Sequence, residues 1–293
     1  MSAAEIARPA PREGAVLRAA LFLRANPLFA AGTLILACVV VLAVIAPLIA
    51  PYEPTRIDFS QKLKAPGFDH LMGTDVLGRD IFSRVLYGTR TSLLIGAAVL
   101  TLSMVLGVPI GLVAGYFGRR TDTLLMRLAD VFLAFPPLLL PITITAMLGA
   151  GLFNAMMALA VSWFPWYARI VRASVIAIKS EPYVSAARTL GLPTWRILLR
   201  HILPNAWGPA IVQGSMDFGY AILATASLSF IGIGAKPPAI EWGLMVAEAR
   251  QTFLANWWTA ACPGAAIFLT VLAANLIGDG LRDTLDPRSA RRD

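Results

Sequence analysis

Long stretches without charged residues alternate with shorter polar segments along the chain. These runs cover 25–52, 91–118, 131–168, 218–235 and 251–278. A membrane-spanning helix needs about 20 apolar residues, so every run except the fourth is long enough by itself. The third run is too long for one helix, and Gly149, Gly151 and Asn154 interrupt it. The pattern therefore predicts an all-α membrane protein with six transmembrane helices.

The ends of the spans follow from the changes between apolar and polar sequence. We expect spans at 28–50, 91–116, 123–148, 152–176, 209–233 and 258–278. A turn is expected at 117–122 and a loop at 234–257. The third span contains Pro136, Pro137 and Pro141.

Basic residues indicate how these spans are oriented. With both termini in the cytoplasm, the inner segments carry 17 Lys and Arg residues and the outer segments carry 8. Cytoplasmic loops of membrane proteins hold the excess of Lys and Arg. A five-span topology would place the basic residues from Arg169 to Arg200 outside, so we reject it. The formal net charge of +8 therefore reflects membrane topology and does not indicate a nucleic-acid partner.

This topology divides the chain into a short series of units. We expect a cytoplasmic tail, a first span, an extracytoplasmic segment, a core of five spans and a second cytoplasmic tail, at 1–27, 28–50, 51–90, 91–279 and 280–293.

Two features within the spans call for an explanation. Gly107, Gly111 and Gly115 are spaced four apart on one face of the second span, which predicts close approach of a neighbouring helix. Asp217 lies in the fifth span, where a carboxylate is costly. Two interpretations of Asp217 stay open. It pairs with a neighbouring helix or water, or it lies in a transport pathway, where it would suit the ammonium end of a peptide.

A basic, helix-prone segment between long apolar runs covers Ser180–Asn205. Two short helical patterns flank Gly191, which permits a tight turn. Pro193 suits the start of the second helix, and Pro204 is expected to end it. Ala186 and Ala187 form a small-residue face that a second protein could approach closely.

The spacing of this segment resembles the Glu-Ala-Ala loop of ABC-importer permeases, Glu-Ala-Ala-x3-Gly-x9-Ile-x-Leu-Pro. Ser185 replaces the first Glu of that motif, and His201 replaces its Ile. In that family the loop docks on the ATPase. The resemblance implies coupling roles for Glu181, Ser185, Ala186, Ala187, Arg188, Gly191, Leu203 and Pro204.

A second, turn-rich motif lies outside the membrane, before the second span. Its distinctive positions are Gly73, Thr74, Asp75, Gly78, Arg79 and Asp80. The acidic residues lack calcium-loop spacing, so we expect a structural cap that leads into an amphipathic helix. The motif resembles one in dipeptide, oligopeptide and nickel permeases of the DppC/OppC type, as do 227–234, 242–245 and 275–283. Thr225 stands where relatives often carry Glu.

The resemblance implies the type I ABC importer permease fold and a bacterial inner-membrane permease subunit for peptides or a related solute such as a nickel complex. It also implies a second homologous permease, two ATP-binding subunits and an extracytoplasmic solute-binding protein as partners. None of the four lysines lies in a phosphate-binding loop, so we expect no enzyme activity, cofactor or metal in this chain. The competing class is a self-sufficient channel or secondary transporter. It would need ion-coupling residues inside the membrane, and Asp217 is the one clear acidic candidate.

Overall fold

The computed structural model describes residues 23, 24 and 26–285, and this part of the chain is helical without a named β-strand. The α-helices named within these described residues are α1 (Pro27–Ile49), α2 (Ile81–Phe117), α3 (Arg119–Leu133), α4 (Leu139–Leu148), α5 (Leu152–Ile178), α6 (Pro182–Thr189), α7 (Thr194–Ile197), α8 (Leu203–Ile231), α9 (Trp242–Glu248) and α10 (Trp258–Leu285). Most of both predicted terminal tails lies outside the described residues.

Helices occupy all six positions where spans were expected. Three of the described helices, α1, α2 and α10, are long and apolar enough to cross a membrane by length and composition. Helices α5 and α8 contain 27 and 29 residues, so their lengths also suffice.

The sequence had suggested one continuous helix for the third span, and this expectation was wrong. The span consists of α3 and the ten-residue α4, separated by residues 134–138. Pro136 and Pro137 explain the break, because proline lacks a backbone N–H and disfavours the helical conformation of the residue before it.

Helix α3 is amphipathic. Arg172 of α5 donates to both carboxylate oxygens of Asp122, at 2.5 and 2.6 Å.

Helix α2 begins ten residues earlier than the predicted span. The Asp80 carboxylate caps it by accepting a hydrogen bond from the Ser83 N–H at 2.8 Å. The first turns are buried against Trp242 and Trp258. The amphipathic helix expected at the end of the outer segment is therefore continuous with the second span.

One expectation about a helix end and one about a loop were also wrong. Pro204 does not end a helix, because helical structure continues from Thr194 through a π-helical turn at Leu198–Ile202 into α8. The π turn shifts the hydrogen-bond register just before Pro204, which then lies in the first turn of α8, where a missing N–H is tolerated.

The loop expected at 234–257 contains the buried helix α9. The Glu241 carboxylate caps α9 by accepting from the N–H groups of Gly243 and Leu244, at 2.7 and 2.8 Å. Burial raises the pKa of Glu241, and these two bonds oppose that shift. Trp242 packs against α2 and donates its indole N–H to the Val85 carbonyl at 3.0 Å. Tertiary packing therefore supports a short helix that the local sequence did not reveal.

The glycine row of α2 lies directly against α5. A Cβ added at Gly107 would overlap the backbone of Phe164, and one at Gly111 would overlap the carbonyl of Ala168. A Cβ at Gly115 would lie 2.8 Å from the Cβ of Val175. The backbones of α2 and α5 are therefore close enough that only glycine fits at these three positions.

Candidate functional site

The segment Ser180–Asn205, here named the coupling segment, is a helix–turn–helix that leads into α8. Gly191 forms its turn with φ +73°. The Leu192 N–H donates to the Ala187 carbonyl at 3.2 Å and the Gly191 N–H to the Arg188 carbonyl at 2.9 Å. This left-handed glycine after a helix is the arrangement that satisfies the last carbonyls of α6.

One face of the coupling segment packs on the ends of α2 and α5. Val184 and Ala187 are buried in a cluster that includes Val175. The Lys179 ammonium donates to the Gly115 carbonyl at 2.8 Å, and Arg188 lies over the ring of Tyr116, 5.1 Å from its centroid. These contacts join the segment to the helix pair that carries the glycine row. Motif spacing did not predict them.

The residues proposed for coupling do not all lie on the outer surface. Ala187 faces the protein interior, so the expected small-residue face is not entirely available to a partner. Leu203 is partly buried, and the remaining six are exposed: Glu181, Ser185, Ala186, Arg188, Gly191 and Pro204.

Large apolar side chains also lie on the exposed face of the segment. Leu190 is 80% exposed, Trp195 60% and Leu199 55%. Exposed apolar residues that cluster on one surface mark contact sites for another protein or a membrane. Sequence reasoning placed Leu190 and Trp195 in the helical patterns but did not predict that these side chains and Leu199 are exposed.

The extracytoplasmic motif is a compact cap on the start of α2. Gly73 and Gly78 have φ of +72° and +74°, and a Cβ at Gly78 would overlap the carbonyl of Asp58. Thr74 is fully buried, and its carbonyl accepts from the Trp258 indole N–H at 3.3 Å. His70 Nδ1 lies 2.9 Å from Asp80 Oδ1.

A buried charge network joins this cap to α9. Asp75 Oδ2 accepts from Arg79 at 2.6 Å and from Arg84 at 2.5 Å. Glu248 Oε2 accepts from the same two guanidinium groups, at 2.7 and 2.9 Å. The sequence analysis missed Arg84 and Glu248. The sequence contained one indication of Arg84, because this charged residue lies on the apolar face of its helix, between Ile81 and Val85.

Asp217 lies near the middle of α8 and pairs with neutral donors. Its Oδ2 accepts from the Tyr167 hydroxyl of α5 at 2.8 Å, and its Oδ1 accepts from the Gln213 amide at 2.9 Å. The carboxylate also lines a cavity of about 330 Å³ between α5, α8 and the α3–α4 junction. The hydrogen bond from Tyr167 confirms pairing with a neighbouring helix, and a place for Asp217 in a transport pathway stays a prediction.

Two of the three residues that depart from the family motifs, Thr225 and Ser185, take part in local hydrogen bonds. Thr225 is fully buried and its hydroxyl donates to the Ala221 carbonyl at 2.9 Å. Ser185 is exposed, and its carbonyl accepts from the Thr189 hydroxyl at 3.1 Å. Within the described ranges, no group of three or more His, Cys, Asp or Glu side chains could hold a metal ion.

Comparison with known proteins decides the family. Residues 107–291 match a family model described as the binding-protein-dependent transport system inner membrane component. The chain belongs to that family. Residues 18–66 also match the N-terminal TM domain of oligopeptide transport permease C. The chain is therefore an inner-membrane permease subunit of an ABC importer and works with other transporter subunits. ATP hydrolysis in this family is carried out by separate subunits.

Several relatives resemble this permease over nearly their whole length. The dipeptide transport system permease protein DppC of Alkalihalophilus pseudofirmus is 43% identical over 91% of this chain and 88% of the relative. The di/tripeptide transport system permease protein DppC of Pseudomonas aeruginosa is 43% identical over 88% of this chain and 87% of the relative. The glutathione transport system permease protein GsiD of Pectobacterium atrosepticum is 43% identical over 91% of this chain and 89% of the relative.

Solved structures support the fold of the permease. A chain of the MetNI methionine ABC transporter in an inward-facing conformation aligns with a TM-score of 0.57 at 17% identity, covering 70% of the permease and 98% of that chain. An amino acid ABC transporter crystallised with histidines aligns with a TM-score of 0.52 at 18% identity, covering 70% and 95%. The shared architecture is the type I importer permease fold.

Proposed function

We propose that this permease imports dipeptides or oligopeptides. The observation that carries the proposal is its identity of 42–43% with permeases named for dipeptide, di/tripeptide and glutathione transport, over about nine tenths of each chain. A solute of related size, such as a nickel complex, is the alternative that the family leaves open.

The proposed complex contains a second, homologous permease, two ATP-binding subunits and an extracytoplasmic solute-binding protein. The coupling segment is the proposed contact with one ATPase subunit. Its exposed apolar side chains at Leu190, Trp195 and Leu199 support this assignment. When a partner covers these three side chains, the free energy of the complex falls by about 25 cal/mol for each Å² of apolar surface removed from water.

The proposed mechanism is alternating access driven by movement of the coupling segment. Closure of the ATPases on ATP would displace the segment. Its buried face, together with Lys179, would transmit that displacement to α2 and α5. The tight glycine-mediated packing of α2 on α5 lets these helices move as one body, because well-packed interiors transmit strain.

The topology of this proposal can be tested by cysteine labelling. On a background that lacks Cys38 and Cys262, cysteine at Ala65 should react with an impermeant reagent added outside. Cysteines at Thr121 and Ser185 should react only after the membrane is opened. All three positions are exposed in the permease itself. Because an ATPase subunit is proposed to cover Ser185, the permease is labelled without its ATPase subunits, so that a lack of reaction reports sidedness and not burial. Labelling of Ser185 from outside would contradict the six-span topology.

The transport function can be tested with the complex in liposomes. The permease, the subunits encoded by neighbouring genes and internal ATP should accumulate radiolabelled Ala-Ala when the binding protein is outside. The permease alone, or the complex without ATP, should accumulate none. Uptake by the permease alone would instead indicate a self-sufficient transporter. ATP-driven uptake of a nickel complex, together with a failure to take up any peptide, would refute the peptide assignment.

A further inference from the structure

The cavity beside Asp217 combines one carboxylate with several aromatic side chains. At about 330 Å³, it lies at the lower end of the range of small-molecule sites, roughly 300 to 1,000 Å³. It is lined by residues of α5, α8 and the α3–α4 junction. A cavity of this size can hold one end of a peptide.

Asp217 is the one charged side chain among the residues that line this cavity in the described part of the chain. Its two partners, the Tyr167 hydroxyl and the Gln213 amide, are neutral donors. They orient the carboxylate without compensating its charge. Each carboxylate oxygen can accept about two hydrogen bonds, so acceptor capacity remains on both. A half-buried carboxylate held in this way lacks a cation.

The walls of the cavity are aromatic. Trp163 and Tyr220 stack with ring centroids 5.1 Å apart and an interplanar angle of 15°. Trp166 is 54% exposed and Tyr220 42%, so ring surface is available to a ligand. The faces of Trp and Tyr rings attract organic cations. A lone carboxylate provides too few oxygen ligands for a divalent metal such as calcium, which takes six to eight.

We propose that this cavity binds the protonated N-terminal amine of a peptide in transit. Asp217 accepts hydrogen bonds from the ammonium group, while Trp166 and Tyr220 contact the amine and the first side chain. The proposal rests on the peptide function proposed above and adds the chemical group that is recognised. Peptides with a free N-terminus would be favoured over the same peptides with a blocked one.

This proposal can be tested by measuring peptide binding directly to the complex. The solute-binding protein is left out, so that its own selectivity does not affect the result. The purified complex, with partner permease and ATPases but no binding protein, is titrated with Ala-Ala and with N-acetyl-Ala-Ala. The wild type should bind the free-amine peptide at least about tenfold more tightly, as expected for hydrogen bonds to a charged group. Equal binding of the two peptides, or binding of neither, would overturn the proposal.

Variants then assign the recognition to Asp217. Asp217→Asn should lose the preference for Ala-Ala and lower its uptake at least about tenfold. Asp130→Asn is the matched control. That carboxylate is exposed, lies outside the cavity and pairs with Arg169, so preference and uptake should remain as in the wild type.

Two further results separate the possible failures. If Asp217→Asn does not assemble, Trp166→Ala still tests the site, because it should weaken Ala-Ala binding through the aromatic wall alone. Unchanged Ala-Ala binding by this variant would refute the proposal. Normal ATP-driven peptide uptake by Asp217→Asn would refute the ammonium site and leave the peptide importer intact. A wild-type complex that moves no peptide refutes the proposed function itself.

Discussion

Gly111→Leu should lower the midpoint of thermal unfolding of the detergent-solubilised complex by roughly 10 °C. A Cβ at Gly111 would overlap the carbonyl of Ala168 and lie 3.0 Å from the Cβ of Val171. The obstacles are the backbone of α5 and a β-carbon, neither of which can rotate away. The two helices must separate, and the buried cluster around Val171 and Val175 is then disrupted.

The control for this prediction is Gly208→Leu. A Cβ at Gly208 meets nothing within 4 Å, so the larger side chain should change the midpoint of unfolding little. Fluorescence-detected gel filtration and a thermal ramp measure assembly and stability on the same sample. If Gly111→Leu unfolds at the wild-type temperature, α2 and α5 do not pack in the membrane as they do in this structure.

Gly191→Val should abolish substrate-stimulated ATP hydrolysis and uptake together, while the complex still inserts and assembles. Gly191 has φ +73° and open space where a Cβ would be, so the effect comes from backbone conformation alone. A β-branched residue strongly disfavours positive φ, and the left-handed conformation costs a non-glycine residue about 1–2 kcal/mol. The turn would open, and α6 and α7 would change their relative orientation.

Gly191→Asn is the matched variant for this experiment, because asparagine adopts the left-handed conformation more readily. It should restore most of the uptake that the valine variant loses, whereas a general need for a small residue would leave both variants inactive. Normal ATP-driven uptake by Gly191→Val would show that the geometry of the coupling segment does not matter for coupling.

The glycines illustrate how much could be predicted locally. A spacing of four along a helix places Gly107, Gly111 and Gly115 on one face, whatever the rest of the chain does. The pattern could not identify the partner helix, which is α5. Likewise, a glycine between two short helical patterns predicted the turn at Gly191, but not that Ala187 would face inward and Leu190 outward.

The prolines show where local rules were insufficient. Pro136 and Pro137 break the third span, as their missing N–H groups and steric demands require, yet the apolar composition of the region had favoured one helix. Pro204 has the same chemistry and breaks nothing, because the π turn at Leu198–Ile202 changes the hydrogen-bond register before it. Hydropathy does not contain this information.

The sequence by itself determined the membrane class, the approximate positions of the spans and the family, because apolar run length, helical periodicity and motif spacing are properties of neighbouring residues. The tertiary structure alone decided which distant groups meet. Arg84 reaches Glu248 across 164 residues, and Tyr167 reaches Asp217 across 50. Such pairs form because the packing of whole helices brings them together in a buried place, where unpaired charges and polar groups are costly. No local pattern specifies that packing.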